Sequence, residues 1–410
     1  MNKMKKVPEI RFKEFEEEWV QNKLGDCFLE RVERSAIGEL ISVTINNGVV
    51  KAADTGRADS SSADKSNYKK VEVGDIAYNS MRMWQGACGY SSYNGILSPA
   101  YTVVTPTNGV DVKFYYYLFK RTDSLYQFRI NSQGLTSDTW NLKYPSFSKI
   151  YCMVPKESEQ KRIAELFLHI DNLIRKIEQK LEKLRNIKQS LLNQMFVNVN
   201  RGGYAPLIRF NGYNNKWIML TLNDISERIT RKNTNNESSL PLTVSAQDGL
   251  INQNDFFNSR IASKDVSKYY LIKDGEFAYN KSSSDGYPFG AVKRLDRYKM
   301  GVLSTLYIIF ALNKEKIDSD FLSIFFETDK WYEHISQRAA EGARNHGLLN
   351  ISSEDFLDLK ILTPKSKNEQ ILIAGYVSAL DRLVEETSSK LTKLRCMKQS
   401  LPQFGIRNSS

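Results

Sequence analysis

The chain is short of the residues that most often carry chemistry. Its 410 residues hold three scattered histidines, His169, His334 and His346, and four cysteines, Cys27, Cys88, Cys152 and Cys396, with no CxxC spacing. That pattern excludes a common zinc site and reads as reduced thiols rather than disulfide staples. None of the ten prolines adjoins another, so the double-proline loop of amino-methyltransferases is missing. None of the 22 glycines precedes a lysine, which excludes a phosphate-binding P-loop. No Gly-x-Ser-x-Gly elbow occurs. "DLK" at Asp358 to Lys360 lacks the Pro-Asp that a nuclease carboxylate–lysine signature needs upstream. No apolar run approaches the roughly 20 residues that span a bilayer. "MNKMKKVPEIRF" offers no apolar signal segment, so a cytoplasmic location is expected. His169 reads as a helix-surface residue, and His334, beside Trp331 and Tyr332, as a packed one.

What is present is basic charge and repetition. The formal net charge is +11 and the pI about 9.2, which favours a nucleic-acid partner. "KLEKLRNIKQSLLNQMF" (Lys180 to Phe196) returns as "KLTKLRCMKQSLPQF" (Lys390 to Phe404), a shift of 210. Other segments repeat in the same order. "PEIRF" with Trp19 matches "PLIRF" with Trp217 at a shift of 198. "LGDCFLER" (Leu24 to Arg31) matches "LNDISER" (Leu222 to Arg228), read as one residue shorter. "YKKVEVGDIAYN" matches "YYLIKDGEFAYN", and "VPKESEQKRIAELF" matches "TPKSKNEQILIAGY". Asn141 and Phe147 return as Asn350 and Phe356. One unit of about 200 residues has been duplicated, a period far too long for a solenoid.

Residues 1–155 and 201–364 read as short strands and turns with short helices. "KVEVGDIAYN" alternates and breaks at Gly74 and Asp75; "DVKFYYYLFKR" and "DSDFLSIFFETDKWYEHI" read as helices packed on the sheet. Residues 156–200 and 365–404 read as long helices, and 405–410 as a tail. In the first helix Ile163, Leu166, Ile170, Leu173, Ile177, Leu184, Ile187 and Leu191 recur at 3,4 spacing with one gap at Lys180. In the second Ile373, Tyr376, Leu380, Leu383, Leu394, Met397 and Leu401 do the same. These are taken as the seam of an antiparallel coiled coil. The competing reading lays each helix on its own unit. Pro402 stands where the first copy has Leu192, so the second helix is expected to stop near Leu401. The expected class is α+β: two similar domains at opposite ends of a double rod, related by a pseudo-twofold axis. Such an object suits two half-sites on duplex DNA.

The order of parts resembles the specificity subunit of a Type I restriction-modification system, over essentially the whole chain. The resemblance rests on Gly74 with Asp75, Gly275 with Glu276, Pro155 with Glu159 and Gln160, Pro364 with Glu369 and Gln370, and helices ending Leu-Arg-x-x-Lys-Gln-Ser-Leu. It implies two target-recognition domains, each reading one half of a split DNA sequence. It implies two methylation subunits docked near the helices, which use S-adenosylmethionine on adenine N6, and two motor-nuclease subunits, which use ATP and Mg. The subunit itself performs no chemistry and binds no cofactor. The rivals are a coiled-coil scaffold with two ligand-binding domains that never touch DNA, and a one-chain methyltransferase, against which the missing double proline counts.

Base reading needs Arg, Asn, Gln, Ser or Thr in loops, and phosphate binding needs Lys or Arg. The loop at 79–95 offers Arg82 and Gln85, and its counterpart at 280–294 offers Lys281, Ser283 and Ser284. The loop at 131–141 offers Thr136 and Ser137, and its counterpart Arg344 and Asn345. Arg57, Lys65, Lys69 and Lys70, with Lys293 and Arg294, are the phosphate candidates. For each, the plain alternative is a solvated surface side chain.

Overall fold

The computed structural model describes residues 8, 10–56, 58, 61–198, 203–257, 262–339 and 349–400. They form two compact units, Met1–Gln179 with Ser389–Ser410, and Lys180–Ser388. The division between these units falls inside the two long helices, so each unit uses part of both.

The first unit is built on a four-stranded antiparallel sheet, in the order Phe28–Glu30, Tyr101–Pro106, Ile76–Asn79, Cys88–Tyr90. Strand alternation gives it two buried faces. Ile76, Tyr78 and Val104 face the aromatic helix layer, whereas Ala77 and Val103 face a smaller core with Ile41, Val43, Val49, Val71 and Leu97. The helix Val112–Phe119 starts at Asp111, whose carboxylate accepts from Phe114 N at 2.8 Å. Tyr78 stacks on Phe147 at 5.2 Å between ring centroids.

The second unit repeats this plan. Its sheet runs Ser226–Ile229, Ile308–Leu312, Phe277–Asn280, Ala291–Arg294. Phe277 and Tyr279 face one core; Ala278 and Ile309 face another. Asp318 caps Ser319–Phe325, and Tyr279 stacks on Phe356 at 4.3 Å.

Strand register corrects one of the sequence matches. Glu30 lies opposite Val104, as Arg228 lies opposite Phe310, and those partners also face Ile76 and Phe277. Arg228 is thus the counterpart of Glu30, with no deletion, and Arg31 answers to Ile229. The ion pair survives by another route. Arg31 grips Asp75 at 2.7 and 3.0 Å, and Arg231 grips Glu276 at 2.8 Å. The acid after Gly74 or Gly275 also accepts a backbone amide, from Glu72 or Lys273.

The Glu-Gln pair after each domain's last proline is an internal latch. Glu159 is 2% exposed and takes both Arg11 nitrogens at 2.8 and 2.7 Å, with Trp19 Nε1 at 3.4 Å. Glu369 repeats this with Arg209 at 2.6 and 2.9 Å and Trp217 at 3.3 Å. Gln160 accepts from Asp111 N and donates to Pro155 O; Gln370 accepts from Asp318 N and donates to Pro364 O. Each latch therefore joins the "IRF…W" segment, a helix cap and the start of a long helix.

The long helices span Glu157–Met195 and Lys367–Ser400. The expected end at Pro402, with Leu401, lies outside the described residues. In the first unit Lys398 pairs with Asp171 at 2.5 Å and Arg395 with Glu178 at 2.6 Å, so the helical segments there are antiparallel. In the second unit Lys188 pairs with Asp381 at 2.5 Å, and Leu192 shares a core with Ile373 and Val377.

The seam itself needs correcting. The less exposed stripe is Ile163, Phe167, Ile170, Ile174, Ile177, Leu181, Leu184 and Lys188, and in the second copy Ile373, Val377, Leu380, Val384, Thr387, Leu391, Leu394 and Lys398. Ile163, Ile170, Ile177, Leu184, Ile373, Leu380 and Leu394 lie in it. Leu166 and Leu191 are only half-buried beside it, and Leu173, Ile187, Tyr376, Leu383 and Met397 are exposed. The alternation starts with a step of four rather than three. That removes the apparent gap at Lys180, because Leu181 is the seam residue. It also places the lysine of Lys-Gln-Ser in the seam, matched to an aspartate across it. A polar pair at such a position fixes register at some cost in stability.

Candidate nucleic-acid interface

The strands Ile76–Asn79 and Phe277–Asn280 end in the same turn. Asn79 Oδ1 accepts from Met81 N at 3.0 Å, and Asn280 Oδ1 accepts from Ser282 N at 3.0 Å. An asparagine that bonds the backbone two residues on begins a turn of defined direction. Both loops close on a glycine with positive φ, Gly86 at +81° and Gly290 at +77°. A Cβ on Gly290 would lie 2.0 Å from Asn280 O, so the closure admits no side chain. Between these fixed ends the loops differ. The first makes a tight turn over Met83–Gln85, and the second a turn between Ser284 and Tyr287.

Two of the three candidate regions come together. Leu142 N donates to Ser80 O at 2.8 Å, and Trp84 meets Trp140 edge to face at 5.2 Å. The 79–95 and 131–141 loops are therefore one surface. In the second unit Leu349 N donates to Lys281 O at 3.0 Å and Lys281 Nζ to Ile351 O at 3.3 Å. Lys281 is thus engaged in joining its loops. Arg344 and Asn345 lie outside the described residues, as does Arg57.

Arg82 is exposed on the first loop, and no partner holds its guanidinium among the described residues. Gln85 is half-exposed beside it. Thr136 is tied to Thr139 within its own turn, Ser137 is exposed, and Ser283 and Ser284 are exposed on the second loop. The phosphate candidates are mostly committed. Lys69 meets Glu30 at 3.4 Å, and Lys70 meets Glu72 and Glu33 at 2.7 and 3.2 Å. Lys293 meets Glu327, and Arg294 is held by Asp296 and Asp320. Lys65 donates to Ser62 O at 3.2 Å and is half-exposed. A phosphate at these four ion-paired residues would have to compete with a carboxylate in place.

The structure adds three residues that loop composition did not single out. Arg129, exposed on the helix Thr122–Ile130, lies over the rings of Trp140 and Tyr126 at 5.9 and 5.8 Å. With Trp84 and Trp140 it forms an aromatic and cationic ledge beside Arg82. A tryptophan in each of two loops was the available signal. His334 has both ring nitrogens engaged: Nε2 to Asp355 O at 2.9 Å and Nδ1 to Arg338 at 3.0 Å. Burial holds its pKa below the ordinary imidazole value. No group of three or more His, Cys, Asp or Glu side chains fit to hold a metal occurs among the described residues.

Residues 16–186 match the model of the Type I restriction modification DNA specificity domain. Over that stretch the chain is similar to the specificity domain of those systems. Across the whole chain the fold is shared with solved specificity subunits. The Type-I restriction-modification system S subunit from M. genitalium aligns with a TM-score of 0.58 at 12% identity, covering 98% of this chain and 100% of that one. The HsdS subunit from Thermoanaerobacter tengcongensis aligns at 0.50 with 14% identity, over 96% and 97%. A structure described as underlying complex assembly and conformational transition of the type I R-M system aligns at 0.50 with 13% identity, over 94% and 96%. Specificity domain, internal repeat and shared fold support a DNA-recognition subunit, and they do not favour the scaffold that never touches DNA.

For the specificity domain, Arg82→Ala is expected to weaken binding to the cognate duplex by about 1–3 kcal/mol if the guanidinium takes one guanine edge. Discrimination should fall at one base pair only. Equilibrium binding to a set of single-base variants checks it; an equal loss on every sequence would assign Arg82 to phosphate instead.

Proposed function

We propose that the two units each read one half of a split DNA target, with the paired helices setting the spacing between halves and docking two methylation subunits. One observation carries this reading: the frame around the loops repeats in its opening asparagine bond, at Asn79 and Asn280, and in its closing positive-φ glycine, at Gly86 and Gly290, while the loop tips between them differ. A pair of identical holders with unlike tips is what two different half-sites require. The net charge of +11 serves approach to the phosphate backbone. The chain holds the target while its partners act: methylation subunits bring S-adenosylmethionine to adenine N6, and two motor-nuclease subunits bring ATP and Mg. The assembly works in the cytoplasm of a bacterium or archaeon.

The test is a methylome. The chain is expressed with its methylation partner and modified adenines are mapped by long-read sequencing. Two short sequences separated by a fixed gap are expected, and exchanging residues 1–155 for another specificity domain should change one of them and leave the other. A continuous motif, or a change in both halves, would overturn the assignment.

A further inference from the structure

Lys120 follows the helix Val112–Phe119 and is largely withdrawn from solvent. Its Nζ donates to Ile45 O at 2.7 Å and to Gly86 O, and lies 5.3 Å from the centroid of the Tyr116 ring. No carboxylate pairs with it among the described residues. Ile45 belongs to the turn between the strands Ile41–Thr44 and Gly48–Lys51; Gly86 closes the turn that carries Arg82 and Gln85. The lysine stem packs under that glycine, where a Cβ would sit 3.3 Å from Lys120 Cδ. Burial holds the ammonium's pKa below the ordinary lysine value, and the nearby charge of Lys398 adds to the effect. A cation kept in so unfavourable a place without a counter-charge needs its carbonyl acceptors.

The second unit has a residue of opposite charge at the same position. Cys88 stands opposite Tyr78 as Val292 stands opposite Tyr279, so Gly86 answers to Gly290. Lys120 and Glu327 both follow the capping aspartates, Asp111 and Asp318, at one interval. Glu327 takes Lys293, in the strand by which the second loop returns. The same place in the fold thus holds the returning side of the variable loop in both units, by a half-buried ammonium at the closing glycine in one and by a carboxylate on the strand three residues past that glycine in the other.

We propose that Lys120 is a positioning residue for target reading. It fixes where Arg82 and Gln85 stand by pinning the end of their turn to the Ile45 turn. The inference rests on the DNA-reading role given above to that loop.

The experiment uses the full chain with its methylation partner and duplexes carrying single-base changes in either half of the mapped target. Lys120→Met keeps an unbranched apolar stem out to Cε and removes every donor. Discrimination in the half read by the first unit is expected to fall roughly tenfold, the scale of one base contact. Discrimination in the other half and binding to unrelated DNA should hold. Lys120→Gln, which keeps two donors on one nitrogen, should fall between, and it carries the comparison if Lys120→Met does not fold. Unchanged discrimination in the first half, or an equal loss in both halves, overturns the proposal. Arg82→Ala separates the two levels: if it alters discrimination and Lys120→Met does not, only the positioning role fails. If neither does, the loop is not the reader.

Discussion

Glu369→Ala should cost the second unit about 3–5 kcal/mol, the range seen when one partner of a buried ion pair is removed. The carboxylate is 1% exposed and occupied by both Arg209 nitrogens and by Trp217 Nε1. Deleting it leaves a guanidinium with 14% of its side chain exposed and no counter-charge. It also leaves an indole N–H without its acceptor, and a buried unmet donor costs about 1–3 kcal/mol. A double replacement, Arg209→Met with Glu369→Leu, should recover a large part of the loss, since neither charge is then stranded. Urea unfolding followed by tryptophan fluorescence measures both. A loss below about 1 kcal/mol in the single variant would show that water or a neighbouring cation replaces the latch. Glu159→Ala is expected to act alike in the first unit, where Arg11 and Trp19 make the same contacts.

The second large effect distinguishes the two ways of drawing the helix seam. Leu184→Ala should destabilise by about 2–4 kcal/mol, as for a leucine buried in a packed interior. Ile187→Ala, three residues on, should stay within about 0.5 kcal/mol, since the isoleucine is 38% exposed. In the first unit Leu391→Ala and Met397→Ala form the same contrast, at 7% and 55% exposure. Equal losses within each pair would restore the stripe through Leu173, Ile187 and Met397.

That seam shows where sequence reading stops. Two apolar series run down the first helix one residue apart, through Leu166, Leu173 and Ile187 or through Phe167, Ile174 and Leu181. Counting hydrophobic residues cannot choose between them. The half-buried Lys188–Asp381 and Lys398–Asp171 pairs make the choice, and a lysine is a residue that pattern reading assigns to solvent. The duplication, the strand break at Gly74 and the long helices were legible because each leaves several marks in order. The Glu-Gln pairs were legible as a repeated motif but not as latches, because Arg11 and Glu159 are 148 residues apart. For the candidate interface, loop composition singled out Arg82 and Gln85, which stand exposed and half-exposed on the first loop. It could not show that Ser80 and Leu142 join two loops, nor that Lys69, Lys70, Lys293 and Arg294 already face carboxylates. Arg129 was missed because it sits on a helix, and only the rings beneath it make it a candidate.

The membership of Ser389–Ser410 in the first unit bears on synthesis. A chain emerging from the ribosome completes residues 180–388, the whole of the second unit, before Arg395 and Lys398 exist to pair with Glu178 and Asp171. Domains ordinarily fold in the order in which they are made. Here the first copy begins first and is finished last. A premature stop after residue 388 would spare the second reader's own contacts and strip the first of its closing helix.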